Sequence, residues 1–199
     1  MNNAKLQLPV CIILAAGYSK RLGQPKALLE IKGEYLINNI VKKLRKHDLE
    51  ILIITNKELF DQINRSTKDA EIIINPRPEM GRTGSLQVGL RHLKDNFSKN
   101  FKTIVVPIDR PGFSNATISK LISLNSTSSP MKNGKGGHPI LLSAVDISKI
   151  LCAEPNIPLR DIIAPTRFEV NDNYLHLNID TEDDVKLLLD YYIQDESNF

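Results

Sequence analysis

The sequence predicts an α/β protein in which a mostly parallel sheet lies between helices on both faces, three layers in all. Three observations carry that prediction. Short runs dense in Ile and Val recur along the chain, as strands buried on both faces require. Longer amphipathic segments lie between them. The two kinds alternate, and strand–helix–strand alternation builds parallel, doubly wound, Rossmann-like sheets.

Val10–Leu14 reads as the first strand, and the segment breaks at Gly17. Tyr35–Arg45 sets Leu36, Ile37, Ile40, Val41 and Leu44 on one helical face. Ile51–Thr55 and Ile72–Ile74 are the next strands, followed by a helical pattern over Leu86–Leu93. Thr103–Ile108 is a further strand, and Ile118–Leu124 a helix that Ser114 can cap. Asn125–Gly137 is polar and glycine-rich, which predicts a surface loop, either a lid over a site or a plain connector. Leu175–Ile179 reads as a last strand ending at Asp180, with Thr181 capping a helix and Asp184 completing a capping box. The polar tail Gln194–Phe199 is expected to fray.

The length of 199 residues fits one domain spanning 1–199, and a 41% hydrophobic content can fill its core. The net charge of +3 is too small, and its cations too scattered, to indicate nucleic acid. No stretch approaches the roughly 20 apolar residues that span a bilayer. Lys5 before the brief apolar run Val10–Ala16 does not make a signal peptide. Cys11 and Cys152 are far apart and outside any zinc-type spacing, so a reducing, cytoplasmic setting is expected.

The most informative segment runs from Leu14 through Ala15, Ala16, Gly17, Ser19 and Arg21 to Lys26. Small residues let backbone N–H groups approach an anion, and two fixed cations suit a polyphosphate. The segment is neither a Walker loop nor a GxGxxG turn. By pattern alone it fits a phosphate loop or an ordinary βα turn with solvated cations. Asp109 and Asp180 each close an apolar run, where an Asp serves as a metal ligand or as a turn former. His138 sits between Gly137 and Pro139, a context suited to packing or to a substrate hydrogen bond.

The string Leu14-Ala-Ala-Gly-Tyr-Ser-Lys-Arg-Leu-Gly-Gln-Pro-Lys-Ala-Leu-Leu29 resembles the LAAGxSxRMGxxKxLL signature of the MobA-like nucleotidyltransferases, closest to the molybdenum cofactor cytidylyltransferases. Three more segments match in order. Val105–Gly112 resembles a strand ending in Asp-x-Pro-Gly, Gly137–Ile140 resembles Gly-His-Pro-Val, and Asn178–Asp184 resembles Asp-Ile-Asp-Thr-Pro-Glu-Asp.

The resemblance implies a fold of the nucleotide-diphospho-sugar transferase type. It also implies a Mg²⁺-dependent transfer of CMP from CTP to a phosphorylated acceptor such as molybdopterin, releasing pyrophosphate. Arg21, Lys26 and Asp109 would be catalytic, and Asp109 and Asp180 would hold the metal. Leu14, Ala15, Ala16, Gly17 and Ser19 would contact the nucleotide with those cations, Gly84 and Ser85 would lie against its base and sugar, and His138 would face the acceptor. The pair Ala15-Ala16, in place of two glycines, is associated with CTP over GTP. The family's Gly-Met-x-x-Ser-Leu motif reads here as lengthened, with two additional residues between Met80 and Ser85. A sugar phosphate is the alternative acceptor, and a catalytically silent nucleotide-binding accessory protein is the alternative of another class.

Overall fold

The computed structural model describes residues 8–96 and 101–194. Lys5 and residues 195–199 of the tail lie outside the described residues. In chain order the strands are β1 (Val10–Ala15), β2 (Glu30–Ile31), β3 (Glu34–Tyr35), β4 (Ile51–Thr55), β5 (Glu71–Ile74), β6 (Thr103–Pro107), β7 (Ser128–Lys132), β8 (Lys135–Gly136), β9 (Ile140–Leu142) and β10 (Thr166–Glu169). The helices are α1 (Leu36–Arg45), α2 (Lys57–Ser66), α3 (Gly81–Asn96), α4 (Asn115–Ser123), α5 (Ala144–Cys152) and α6 (Glu182–Gln194).

The main sheet runs β10-β7-β9-β6-β1-β4-β5, with β8 hairpinned onto β7. β1 pairs in parallel with β4 on one side and β6 on the other, and β4 pairs in parallel with β5. β9 runs antiparallel to β6 and β7, and β10 is parallel to β7. The chain therefore travels outward from β1 to β5 and then crosses back to β6 on the far side of β1. Ligands of such sheets bind beyond the carboxyl ends of the strands at that reversal.

Side-chain alternation along β1 sorts the two helical layers. Cys11, Ile13 and Ala15 enter a core with Leu36, Ile37 and Ile40 of α1, Leu59 and Ile63 of α2, Ile118 of α4 and Leu188 of α6. Val10 and Ile12 enter the opposite core with Leu86, Leu90 and Leu93 of α3 and Ile147 and Ile150 of α5. At ~1.5–3 kcal/mol per fully buried aliphatic side chain, these two layers hold the sheet. No helix among the described residues is long and apolar enough to cross a membrane.

Two expectations fail here. Asn125–Gly137 is not a surface loop, because it contains β7 and β8, and Thr127, Ser128 and Ser129 are buried. Asn133 and Gly134, with φ of 52° and 75°, make the two-residue turn that right-handed hairpin twist favours. The buried polar side chains here are hydrogen-bonded, Thr127 to the Ser143 hydroxyl and Ser128 to the Ser126 carbonyl. Leu175–Ile179 is not a strand either. Leu175, Leu177 and Ile179 alternate inward, but their N–H groups bond to Asp172, Tyr174 and Asp109 carbonyls rather than to a ladder. Alternation recorded burial, not strand pairing.

Candidate active site

The carboxyl ends of β1 and β6 open into a cleft of about 260 Å³, lined by Leu14, Ala16, Gly17, Ser19, Lys20, Arg21, Lys26, Pro78, Gly81, Arg82, Ser85, Pro107, Ile108, Asp109 and Asp180. The loop after β1 folds around Ser19, whose carbonyl accepts from the N–H groups of Leu22 and Gly23 at 3.1 and 3.2 Å. The Ser19 hydroxyl accepts from the Lys26 N–H at 3.1 Å, which returns Lys26 to the cleft. Asn56 fixes the near side, since it caps α2 through Leu59 N–H and donates its amide to the Ala16 carbonyl at 3.1 Å.

Lys26 stands between the two acids. Its Nζ donates to Asp180 Oδ1 at 2.7 Å and lies 3.8 Å from Asp109 Oδ2. Arg21 Nη1 reaches Asp180 Oδ2 at 3.3 Å, and Asn178 Nδ2 donates to the same oxygen at 2.5 Å. The Lys26 hydrogen bond first outweighs the opposing effect of burial, and with the Asn178 hydrogen bond and the charges of Lys26 and Arg21 it holds the Asp180 carboxyl below the ordinary carboxylate range. Asp180 is therefore anionic at neutral pH.

Asp180 reaches this position without a strand because its segment is stapled to the loop after β6. The Ile179 N–H donates to the Asp109 carbonyl at 3.0 Å, and Asp172 accepts from Ser114 N–H and the Thr117 hydroxyl. The motif glycines leave room for it. A Cβ on Gly112 would lie 1.9 Å from the Tyr174 carbonyl oxygen, and one on Gly137 would lie 2.5 Å from Leu175 Cγ. At its far end the segment is anchored by the expected capping box, with Asp184 accepting from Thr181 N–H and the Thr181 hydroxyl accepting from Asp184 N–H.

Arg82 is the functional candidate that sequence reasoning missed. It lies in the first turn of α3, and its Nη2 donates to Asp109 Oδ2 at 2.5 Å. The signal was present in the family pattern. Gly81-Arg-Thr-Gly-Ser-Leu86 matches Gly-Met-x-x-Ser-Leu without lengthening, with Arg82 in the methionine's place. α3 runs unbroken from Gly81 to Asn96, so no inserted residues disturb it. The two additional residues expected before Ser85 were an error of register, set by taking Met80 as the motif's methionine.

Of the residues singled out in the sequence, Leu14, Ala16, Gly17, Ser19, Arg21, Lys26, Ser85, Asp109 and Asp180 line this one cleft. Ala15 and Gly84 do not. Ala15 is buried in the sheet, and Gly84 faces Pro155, whose Cβ would lie 3.3 Å from an added Cβ. The Ser85 hydroxyl donates to the Gly81 carbonyl and accepts from the buried Asn75 amide, each at 3.0 Å, so its proton is committed to the helix start.

His138 lines an adjoining cavity of about 1010 Å³ that shares Leu14, Gly81, Arg82 and Pro107 with the cleft. Burial, and secondarily the Arg110 charge, lower its pKa to about 4. It is neutral at physiological pH, and its buried Nδ1 has no hydrogen-bond partner.

The two carboxylates suit a hard divalent cation. Asp109 Oδ1 is buried and has no hydrogen-bond partner, an arrangement that a bound ion or its water would complete. Among the described residues no group of three or more His, Cys, Asp or Glu side chains gathers to hold a metal. An ion here would take its remaining ligands from phosphate oxygens and water, the usual habit of Mg²⁺.

Comparison with known proteins bears on the family and the fold. The profile of the MobA-like NTP transferase domain matches residues 11–170. A bifunctional IPC transferase and DIPP synthase of Thermococcus kodakarensis is 32% identical over 93 residues, 44% of this chain and 22% of that protein. The chain thus spans about a fifth of that relative. Rv0371c of Mycobacterium tuberculosis H37Rv has the same fold, with a TM-score of 0.79 at 19% identity, covering 92% of this chain and 98% of that one. A manganese complex of Rv0371c superposes with a TM-score of 0.75 at 16% identity, covering 92% and 99%. Molybdopterin-guanine dinucleotide biosynthesis protein A of Archaeoglobus fulgidus gives 0.66 at 17% identity, covering 92% and 98%.

Proposed function

The chain belongs to the MobA-like NTP transferase family, and from that premise we propose that it transfers a nucleotidyl group, CMP from CTP, to a phosphorylated acceptor with Mg²⁺ and release of pyrophosphate. One observation carries the reading: Asp109 and Asp180 meet through Lys26 at the strand-order reversal, facing the loop that holds Arg21. A binding protein without chemistry has no need to bring two carboxylates into a polyphosphate site.

In the reaction an acceptor phosphate oxygen forms a bond to the α-phosphorus while the bond from that phosphorus to the bridging oxygen breaks, and pyrophosphate leaves with the electron pair. The obstacle is one anion approaching another, so positioned cations supply most of the acceleration. The loop from Ala16 to Ser19 offers backbone N–H groups to the triphosphate, and Arg21 and Lys26 neutralise its oxygens. Asp109 and Asp180 would hold Mg²⁺, which supplies charge neutralisation at the α-phosphate when bound. Lys26 leaves its place between the acids as it turns to the phosphates. The adjoining cavity takes the acceptor, where neutral His138 offers a hydrogen bond. An acceptor phosphate is ionised already, so no general base is required.

The cytidine preference rests on Ala15-Ala16, and molybdopterin is the acceptor that the sequence resemblance favours. That Rv0371c, a protein of the same fold, has been solved in complex with manganese supports a divalent cation. Pyrophosphate release measured with CTP, GTP, ATP and UTP, with and without a panel of phosphate monoesters, tests the proposal. Release with CTP that depends on an acceptor is expected. Nucleotide binding without release under any acceptor would replace it with the accessory reading.

Arg82 contributes a testable detail. Its side chain is 62% exposed although its partner Asp109 is buried, so the guanidinium can swing out to water when another cation takes its place on the carboxylate. It competes with Mg²⁺ for Asp109 and, once displaced, stands at the mouth of the acceptor cavity. Arg82→Met is expected to lower the Mg²⁺ concentration for half-maximal rate and to raise the acceptor KM about 10-fold, the scale of one charge-assisted hydrogen bond. Steady-state kinetics over both concentrations measures this, and unchanged constants would leave Arg82 as a solvated partner only.

A further inference from the structure

The cavity beside the cleft is larger than a phosphate needs, and its charge is one-sided. Arg82, Lys135, Arg160 and Arg167 line it, and among the described residues no Asp or Glu does. The whole chain has 26 Lys and Arg against 23 Asp and Glu, so an arbitrary lining of this size would mix the signs. Among the described residues neither Lys135 nor Arg167 has a carboxylate partner, and Arg160 lies only near its exposed neighbour Asp161 at 3.8 Å. Arg82 is paired with Asp109 in the cleft, but Lys135 and Arg167 stand beside Arg160 with no carboxylate of their own among the described residues, a like-charge cost that an anionic ligand removes.

The scaffold places Arg167 deliberately. β10 pairs with β7 so that Arg167 lies opposite Ser129, which also lines the cavity. The Arg167 guanidinium passes over Gly136, where an added Cβ would lie 3.1 Å from Nε. Gly136 thus lets Arg167 pass close to the backbone leading to His138. Leu14, Val105, Ile140 and Ile163 floor the same cavity, so the ligand has an organic body as well as charge.

We propose that this cavity takes an acceptor bearing a second anionic group, a carboxylate or another phosphate, which molybdopterin with its single phosphate lacks; Arg167 holds that group with Arg160 and Lys135, while the reacting phosphate sits by Arg82 at the cleft. The inference rests on the transferase reading for the role of the ligand, but its binding test does not. Titration calorimetry at fixed ionic strength, on the full chain loaded with Mg²⁺ and a nonhydrolysable CTP analogue, compares matched probes. The pairs are 3-phosphoglycerate with glycerol 3-phosphate, and fructose 1,6-bisphosphate with fructose 6-phosphate.

In at least one pair the more charged member is expected to bind ~10-fold or more tightly, as a charge-assisted bidentate contact would give. Arg167→Gln should cut that advantage to about 3-fold or less without altering the unfolding midpoint, since the side chain is exposed. Equal or undetectable binding within both pairs overturns the inference. So does an advantage that persists in an Arg160→Gln/Arg167→Gln variant. Failure of every monoester to support pyrophosphate release would instead sink the transferase reading, and the calorimetric preference would still decide this one.

Discussion

Asp109→Asn is expected to keep the fold and to lower single-turnover nucleotidyl transfer by ~10²–10³-fold, a loss of about 3–4 kcal/mol in transition-state stabilisation. The substitution is isosteric, so the loop after β6 keeps its shape. The carbonyl that accepts from Ile179 N–H belongs to the backbone and is untouched. What changes is charge at a buried point. Asp109 is 5% exposed, and its Oδ1 is without a partner while Oδ2 faces Arg82 and Lys26. An amide there donates from one end and cannot neutralise a dication, so Mg²⁺ affinity falls with turnover. Circular dichroism, a thermal melt and single-turnover pyrophosphate release separate fold from chemistry. Turnover within a few-fold of wild type would remove Asp109 from the mechanism.

The strands that carry the site were legible because each is an uninterrupted apolar run. Val10–Ala15, Ile51–Thr55 and Thr103–Pro107 form the buried centre of the sheet, where both faces demand Ile and Val. Ser114 and Thr181 were legible as caps because one side-chain oxygen three residues before an N–H is a local device. The far half of the sheet was not. Ser128–Lys132 has almost no β-branched character and is a strand only because β9 and β10 pair with it. Its hairpin turn, Asn133-Gly134, was a readable signal that the surrounding polarity concealed.

The site divides in the same way. Asp109 follows β6 closely and Arg21 and Lys26 lie on the loop after β1, so their meeting could be inferred from topology and the sequence resemblance. Asp180 reaches the cleft through a segment of turns, held by hydrogen bonds to residues more than 50 positions away, such as Asp172 to Ser114 and Thr117. No periodicity reports such a path. Arg82 was hidden by a different cause: its neighbour Met80 offered a false match to the motif's methionine. The pairing of Arg82 with Asp109 becomes visible only when α3 and β6 are set side by side.

Gly112→Ala is expected to cost ~1–3 kcal/mol of stability, the usual scale of overpacking, and also to lower turnover as far as Asp180→Asn does, ~10²-fold. Glycine is required here for space rather than for dihedral freedom, since Gly112 is not among the residues with positive φ. A methyl at 1.9 Å from the Tyr174 carbonyl oxygen and 2.6 Å from its carbon meets backbone, which cannot rotate away as a side chain does. Tyr174 must move, and with it the turn in which its carbonyl accepts from Leu177 N–H. That displacement runs three residues on to Asp180, whose bonds to Lys26 and Asn178 depend on position within a few tenths of an ångström. A merely destabilised but correctly arranged enzyme would recover full turnover below its melting temperature, so the kinetic loss is the informative readout. If Gly112→Ala acts by displacing Asp180, adding Asp180→Asn should cost nothing further, and the double-mutant cycle should return a coupling of about 2–3 kcal/mol, close to the whole effect of either change. Additive losses would place the damage elsewhere, in the loop carrying Asp109, and would remove the Tyr174–Asp180 segment from its assigned role as the support for the second carboxylate.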